Sequence, residues 1–395
     1  MASKLSIAIV GGGLGGLTAA LALQQSGHDI HVYEQAGQFQ EIGAGVTLHP
    51  NATRLLVGLG LGTELGKIGS PTAGARLMTS AGVPIDTGTA RGGAPLSDAG
   101  QGYNVHRAEF LDVLVTALAS ANLHLGHRCA DVAQDGEGVS LAFENGVRVK
   151  HDLVIGADGI RSVIRQRLGL DIPARSEGVM AYRGMVPTRA LDWAKDAQGL
   201  YLWMGSGRSF LCYPVSAGKA INIVAFVPTD RNSAESWSAR GEIAELAAEY
   251  RGWDARVGQT IEALAETFIW GIYDRAPLAR WTIGRVALMG DAAHPMVPHL
   301  GQGAGQAIED AYTLGVLLNN ASAADVTGRL EAYEQLRRPH TSFVQGVARR
   351  AGQFYRSDYD NAGQLAAAMG SWAREVRGIL EHDAAVAAGK VVLRF

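Results

Sequence analysis

Two hydrophobic patterns divide the chain. Leu5 to Val10 is an apolar run interrupted only by Ser6, and no charged residue occurs from Leu5 to Leu23. A short continuous run that ends in glycines predicts a strand buried on both faces. Leu14, Leu17 and Leu21 then recur at helical spacing. They predict a helix over about Gly15 to Gln25, stopped at Gly27. Ile30-His31-Val32-Tyr33-Glu34 reads as the next strand, so the chain opens as a βαβ unit.

Further along, Gly69 to Gly102 is rich in Gly, Pro and Ser, with a short hairpin expected over Ala75 to Ile85 around Ala81-Gly82. Arg107 to Leu118 has helical periodicity. Val139 to Val149 reads as a hairpin turning at Asn145-Gly146, and Asp152 to Gly156 as a short buried strand. From Met180 to about Ile272 the pattern changes to alternating strands with scattered Trp and Tyr. From Arg285 the buried-strand-then-helix pattern returns, and Glu331 to Ala388 is Ala/Leu-rich and helical. The expected fold class is α/β. A discontinuous Rossmann-like domain is built from 1–75, 101–175 and 275–345. A mixed β-sheet domain, 76–100 and 176–274, is inserted into it, and 346–395 forms a C-terminal helical segment.

Composition narrows the functional classes. The 395 residues are 47% hydrophobic and 18% charged, with a formal charge of −3. That suits two or three domains with real cores and excludes a disordered chain. No dense Lys/Arg run advertises a nucleic-acid partner. Cys129 and Cys212 offer neither a disulfide framework nor a metal spacing, so no metal is expected and a reducing cytoplasm is. The charge-free stretch Leu5 to Leu23 has the length of a membrane span. Its five glycines, and a single Lys4 ahead of it, favour strand–turn–helix over a span or a signal sequence.

The chemistry begins at Gly11-x-Gly13-x-x-Gly16. In a turn between strand and helix, one such glycine permits the tight bend, one lets backbone approach a pyrophosphate, and one lets helix and strand pack closely. The helix N-terminus, with Leu14 and Gly15, offers free N–H groups to phosphate. Glu34 ends the second strand at the distance expected of a carboxylate that accepts from ribose hydroxyls, with Gln35 beside it. A dinucleotide site follows, without saying which dinucleotide.

Other segments carry a resemblance. Gly156-Ala157-Asp158-Gly159-Ile160-Arg161-Ser162, Gly290-Asp291-Ala292-Ala293-His294-Pro295 and Gly301-Gln302-Gly303-Ala304-Gly305 resemble the later fingerprints of single-component flavoprotein aromatic hydroxylases. So do Gly43-Ala44-Gly45-Val46, Pro50-Asn51-Ala52 and His106-Arg107-Ala108-Glu109-Phe110. The resemblance spans roughly residues 5 to 345 and is nearest to salicylate, 3-hydroxybenzoate and 6-hydroxynicotinate hydroxylases. It implies tightly but non-covalently bound FAD, NADH or NADPH as co-substrate, and O2. It implies that Asp291 holds the ribityl chain, that Arg107 contacts the FAD backbone, and that Asp158, Gly45, Val46, Gly301, Gly303 and Ala304 belong to the cofactor site. The implied reaction is hydroxylation of a small hydroxy-aromatic or hydroxypyridine carboxylate through a flavin C4a-hydroperoxide, with or without loss of the carboxylate. The helix after Pro298 would point its N-terminus at the flavin ring and stabilise the charge of the reduced form.

Candidates for catalysis are His49, Tyr213, His299 and Pro298. Hydroxybenzoate-type relatives often carry a histidine four residues before the tyrosine. Ser209 stands there instead, so His49 or His299 would replace a His–Tyr relay. Arg183 and Arg208 are candidate anchors for a substrate carboxylate. Cys212, Trp203, Trp270 and Tyr273 are better read as core. Two alternatives remain: another FAD monooxygenase of the same fold, of urate type, and a non-catalytic FAD-binding redox module. The Trp-x-Trp-x-Ile-Pro signature of tryptophan-type halogenases is absent. No membrane partner is expected, and the chain is read as a monomer or homodimer.

Overall fold

The computed structural model describes residues 4–39, 44–72, 74–85, 100–118, 122–205, 207–230, 239–356 and 362–392. Its first layer is a six-stranded sheet. The strand order is Thr282–Ile283, Val286–Leu288, Leu153–Gly156, Ser6–Val10, Asp29–Tyr33, Leu123–His124. All are parallel except Thr282–Ile283 at the edge. Ile7 to Val10, Leu153 to Gly156 and Val286 to Leu288 are buried throughout, as strands covered by helices on both faces must be. Their charge-free runs follow from that position. The predicted first helix is Leu14–Gln25, and the helix expected after Pro298 is Gly303–Leu318. The two pack together through small residues: a Cβ on Gly315 would come within 2.9 Å of the Ala22 Cβ.

Strand order reverses at Ser6–Val10. The chain leaves it toward Asp29–Tyr33 on one side, and later segments add Leu153–Gly156 and Val286–Leu288 on the other. The carboxyl end of such a strand is where an open α/β sheet opens a crevice for ligand.

The second layer is a seven-stranded sheet in the order Ala239–Gly241, Thr267–Asp274, Arg175–Pro187, Ala220–Pro228, Arg208–Val215, Leu200–Gly205, Ala75–Thr79. Neighbours are antiparallel except the last pair. Period-two alternation gives it two faces. Trp203, Phe210, Cys212, Ile223 and Tyr182 pack into one core with Leu246, Tyr250 and Val257 of the helices beneath. Residues of the opposite parity face the first layer. Cys212 and Trp203 are therefore core, as expected, and Trp203 Nε1 donates to Asp254 at 2.8 Å.

The hairpin near Asn145-Gly146 joins Val139–Phe143 to Arg148–His151 and pairs with Cys129–Gln134. A small sheet of Gly45–Leu48, Tyr103–His106 and Ser70–Pro71 sits beside the crevice. The C-terminal region, expected to be helical from Glu331 to Ala388, starts slightly earlier and forms the helices Val326–Arg356, Ala362–Glu381 and Ala384–Val392. Among the described residues no helix is long and apolar enough to cross a membrane. The charge-free stretch at the start divides between a strand and a helix.

Candidate active site

A cavity of about 1420 Å³ lies between the carboxyl ends of the parallel strands and the free face of the seven-stranded sheet. Single small-ligand sites run to roughly 300–1,000 Å³. This one has room for an extended dinucleotide and a second molecule.

At one end the wall is backbone. Gly11 has φ +113, and a Cβ there would stand 2.3 Å from the Ala157 carbonyl oxygen. This glycine lets two strand-end loops touch. Gly13 has nothing within 4 Å of its Cβ position and lines the cavity. The helix it caps has no side-chain cap and no acidic residue in its first turn. Its first N–H groups are thus left to a ligand, and the cradle fits the pyrophosphate of FAD. Leu14, Gly15 and Gly16 complete this wall. The Glu34 carboxylate accepts from Gly12 N at 2.7 Å and from Ala36 N at 2.8 Å, which fixes it at the strand end. Gln35 is exposed and stands outside the cavity wall.

Asp158 differs from its expected placement. Its carboxylate accepts from Ser162 Oγ at 2.5 Å, from Val163 N at 2.7 Å and from Ile164 N at 3.1 Å. It closes a turn and the start of helix Val163–Arg167. The cavity wall there is Ala157, Gly159 and Ile160 instead.

Asp291 opens on the cavity and is accessible through it, although protein surrounds it. Burial raises its carboxyl above the usual value. His294, Arg107, Arg275 and Arg165 pull the other way. Arg107 begins helix Arg107–Ala117 on the same wall. Burial pushes its guanidinium down, opposed by Asp291. Gly45 and Val46 line the cavity beside Arg107, where Gly45 pairs with His106, and Gly45 N donates to Asn222 Oδ1 at 2.7 Å.

A buried network that the sequence reading missed supports this wall from behind. Arg337 Nε donates to Asp310 at 2.8 Å and its Nη1 to Glu309 at 2.6 Å. Asp310 also accepts from Gly290 N at 3.0 Å and pairs with His294 at 2.5 Å. Asn51 Nδ2 donates to Glu309 at 2.6 Å and to Gln302 at 3.1 Å. Burial raises the Glu309 carboxyl, but Arg337, His382 and His340 outweigh it and hold the group at about 2. The signal was present: Glu309 and Asp310 sit side by side in an otherwise apolar helix, and such carboxylates need a buried cation.

At the other end the wall is side chains. Pro298, His299, Gly301, Gly303 and Ala304 form the turn and first residues of helix Gly303–Leu318, and all line the cavity. Gly301 has φ +61. His49 Nε2 donates to the Leu300 carbonyl at 3.1 Å, and burial lowers its imidazole to about 4. The His299 ring is 4.8 Å from Phe226 and its Nε2 is 3.2 Å from Glu177. Arg356 lies at the same distance from that nitrogen. Burial lowers His299 too, opposed by Glu177. Tyr213 lines the cavity with its hydroxyl bonded to Thr47, and burial carries it well above the usual value. Ser209 is buried and stands off the cavity wall.

Of the two arginines considered for a carboxylate, Arg183 lines the cavity above Trp270, 5.8 Å from that ring. Burial and Arg107 lower its guanidinium to about 10. Arg208 is a correction: it lies off the cavity and bonds Glu249 at 2.7 Å.

This glycine-cradled crevice beneath an antiparallel sheet defines a flavoprotein of the hydroxylase fold. The chain belongs to the FAD binding domain family, whose model matches residues 4–348. It is 36% identical to a salicylate hydroxylase of Pseudomonas putida over 374 residues, covering 89% of this chain and 86% of that one. It is 33% identical to the 6-hydroxynicotinate 3-monooxygenase of Bordetella bronchiseptica, covering 88% and 91%. The solved structure of a salicylate hydroxylase substrate complex superposes with a TM-score of 0.83 at 30% identity, covering 98% of both chains. The protein is an FAD-dependent aromatic monooxygenase that uses NAD(P)H and O2.

Proposed function

We propose that this chain hydroxylates a hydroxy-aromatic or hydroxypyridine carboxylate, in the manner of its salicylate and 6-hydroxynicotinate relatives. The observation that carries the substrate class is the buried Arg183 guanidinium on the cavity wall, with Trp270, Tyr213 and Asn222 around it. Bound FAD supplies the electrons taken from NAD(P)H and the activation of O2. The Gly11 to Gly16 turn would hold its pyrophosphate, Glu34 its ribose and Asp291 its polyol. Arg107, Gly45 and Val46 would flank it, and Asp158 would act through the shape of its loop. The dipole of helix Gly303–Leu318 would favour negative charge on the ring at Gly301, Gly303 and Ala304.

Burial moves each candidate base away from its ordinary value: it lowers His49, to about 4, and His299, and raises Tyr213. A general base works best with a pKa near the working pH. The site is therefore better suited to stabilising a ring anion than to removing its proton with one side chain. Arg183 draws the anion in, Tyr213 hydrogen-bonds the ring hydroxyl, and His49 and His299 hold the Pro298 to Gly301 turn from two sides. Sheltering the reacting centre from water suppresses release of H2O2 in place of product.

Domain boundaries at 1–75, 101–175 and 275–345 for the cofactor domain, with 76–100 and 176–274 for the substrate domain, are supported by the membership of the two large sheets. The boundary expected at 345/346 instead falls inside the continuous helix Val326–Arg356, so 346–395 does not begin a separate segment there. A cytoplasmic location fits two free buried cysteines, and the chain is proposed to act as a monomer or homodimer.

The test is direct. Purified protein is examined for visible flavin absorbance, then NADH and NADPH loss is followed with aromatic acids and products are identified. Acid-stimulated oxidation with a hydroxylated product is expected. A yellow protein that no aromatic acid stimulates would favour the redox module, and turnover of urate alone would favour the urate-type reading.

A further inference from the structure

The cavity continues well past Arg183. Leu77, Leu202, Leu211, Val224 and Arg183 occupy one register row across five neighbouring strands, and every one of them lines the cavity. At about 4.8 Å per strand, four steps separate Arg183 from Leu77 by roughly 19 Å. The row is cationic at one end and wholly apolar at the other. Ala75, Leu200 and Ile85 widen the apolar end, and Tyr355 approaches it from helix Val326–Arg356. Among the described residues, Arg76 and Arg256 near that end are engaged by the protein: Arg76 donates to the Gln198 carbonyl at 2.8 Å and to Tyr201 at 2.6 Å, and Arg256 pairs with Asp254. Arg377 of helix Ala362–Glu381 also lines the cavity and is exposed. Leu200, Leu211 and Ile85 are only half-buried, so apolar surface faces the cavity. A compact ring acid bound at Arg183 would leave it uncovered. The polar nicotinamide dinucleotide is chemically unsuited to it.

We infer that the preferred substrate is a hydroxy-aromatic acid carrying an apolar substituent of several carbons. Its anionic end lies at Arg183 and its substituent runs over Val224 and Leu211 toward Leu200 and Leu77. This inference rests on the proposed reading of the site as one for aromatic acids. Surface uncovered by a bare ring is desolvated by the substituent, and each methylene entering the lobe tightens binding about fourfold.

The FAD-loaded enzyme is titrated with salicylate and with its 4- and 5-alkyl derivatives from methyl to pentyl. Perturbation of the flavin spectrum gives Kd, and stimulated NADH oxidation gives KM. In one alkyl series affinity should climb stepwise. In Leu211→Trp, which fills the lobe, the ratio of extended to compact affinity should fall toward one. Leu200→Trp provides the same reading should the first variant fold poorly. Alkyl acids that bind no tighter than salicylate overturn the inference while leaving the proposed function intact. So does a ratio unchanged in a folded tryptophan variant. Failure of every acid, short or long, to perturb the flavin or stimulate NADH oxidation instead removes the reading on which the inference stands.

Discussion

The two ends of the cavity are made of different material. At the glycine turn the surface is peptide, presented by Gly11 to Gly16, Ala157 and Gly159, with Asp291 as the prominent side chain. At the sheet face the surface is side chains contributed by six strands that span residues 75 to 274. A peptide surface needs particular residue types, because the backbone itself must reach the ligand. A side-chain surface needs only a strand, and the residue on it can be exchanged without moving the main chain. On the proposed reading, the first end is suited to the cofactor and the second is the surface that selects the molecule hydroxylated.

The largest expected effect lies at the first end. Gly11→Ala places a Cβ 2.3 Å from the Ala157 oxygen at a φ of +113, where both strain and clash oppose it. Strain and overpacking add, so the cost should reach on the order of 5 kcal/mol. Gly13→Ala meets nothing within 4 Å and has an extended backbone, so thermal unfolding of the apoprotein should barely move. FAD affinity should nonetheless drop at least tenfold, because on the proposed reading that space takes the pyrophosphate. Equal FAD affinity in Gly13→Ala and wild type would break the assignment of that wall.

Next comes the support behind it. Arg337→Met strands the Glu309 and Asp310 carboxylates without their cation. Breaking a buried pair in this way costs roughly 3–5 kcal/mol, read by urea unfolding. Because Asp310 also holds Gly290 N, FAD retention should decline with it.

How readable each region was follows from the same contrast. The buried strands and the turn at Gly11 to Gly16 were visible because close approach of backbone leaves a residue-type imprint at fixed spacing, whereas the role of Asp291 came from family resemblance. Arg107, which interacts with Asp291, could be placed only through family resemblance, since 184 positions separate them. The parallel pairing of Ala75–Thr79 with Leu200–Gly205 was not visible at all, because period-two alternation marks a strand without naming its neighbour. Nor was the role of the Asp158 side chain. A carboxylate after a strand looks the same whether it meets a ligand or caps the next helix.

Acid titration probes both regions with a smaller effect. Burial lowers both His49, at the cavity, and His151, bonded to Ser6 Oγ and Tyr33 OH beside the first sheet, to about 4. Between about pH 6.5 and 4 the unfolded chain takes up protons that the folded one refuses, so stability falls as pH drops and levels off below 4. Each histidine contributes at most about 3 kcal/mol. His49→Asn and His151→Asn should each flatten the slope of unfolding free energy between pH 7 and 5. Only His49→Asn should also raise H2O2 yield, because it alone releases the Leu300 carbonyl.

The smallest effect belongs to Arg208, on the substrate sheet but off its cavity. Its partner Glu249 is about one-third exposed and its own side chain 28% exposed. A pair so open to solvent is worth roughly 0–1 kcal/mol. Arg208→Ala should therefore lower the unfolding midpoint slightly and leave KM for aromatic acids unchanged. Arg183→Ala, on the same sheet but in the register row above the cavity, should raise KM at least tenfold, the loss expected of a charge-assisted contact. The two substitutions remove the same guanidinium from neighbouring parts of one sheet. If Arg208→Ala shifted KM as far as Arg183→Ala, the sheet's cavity face would not be the surface that selects the substrate.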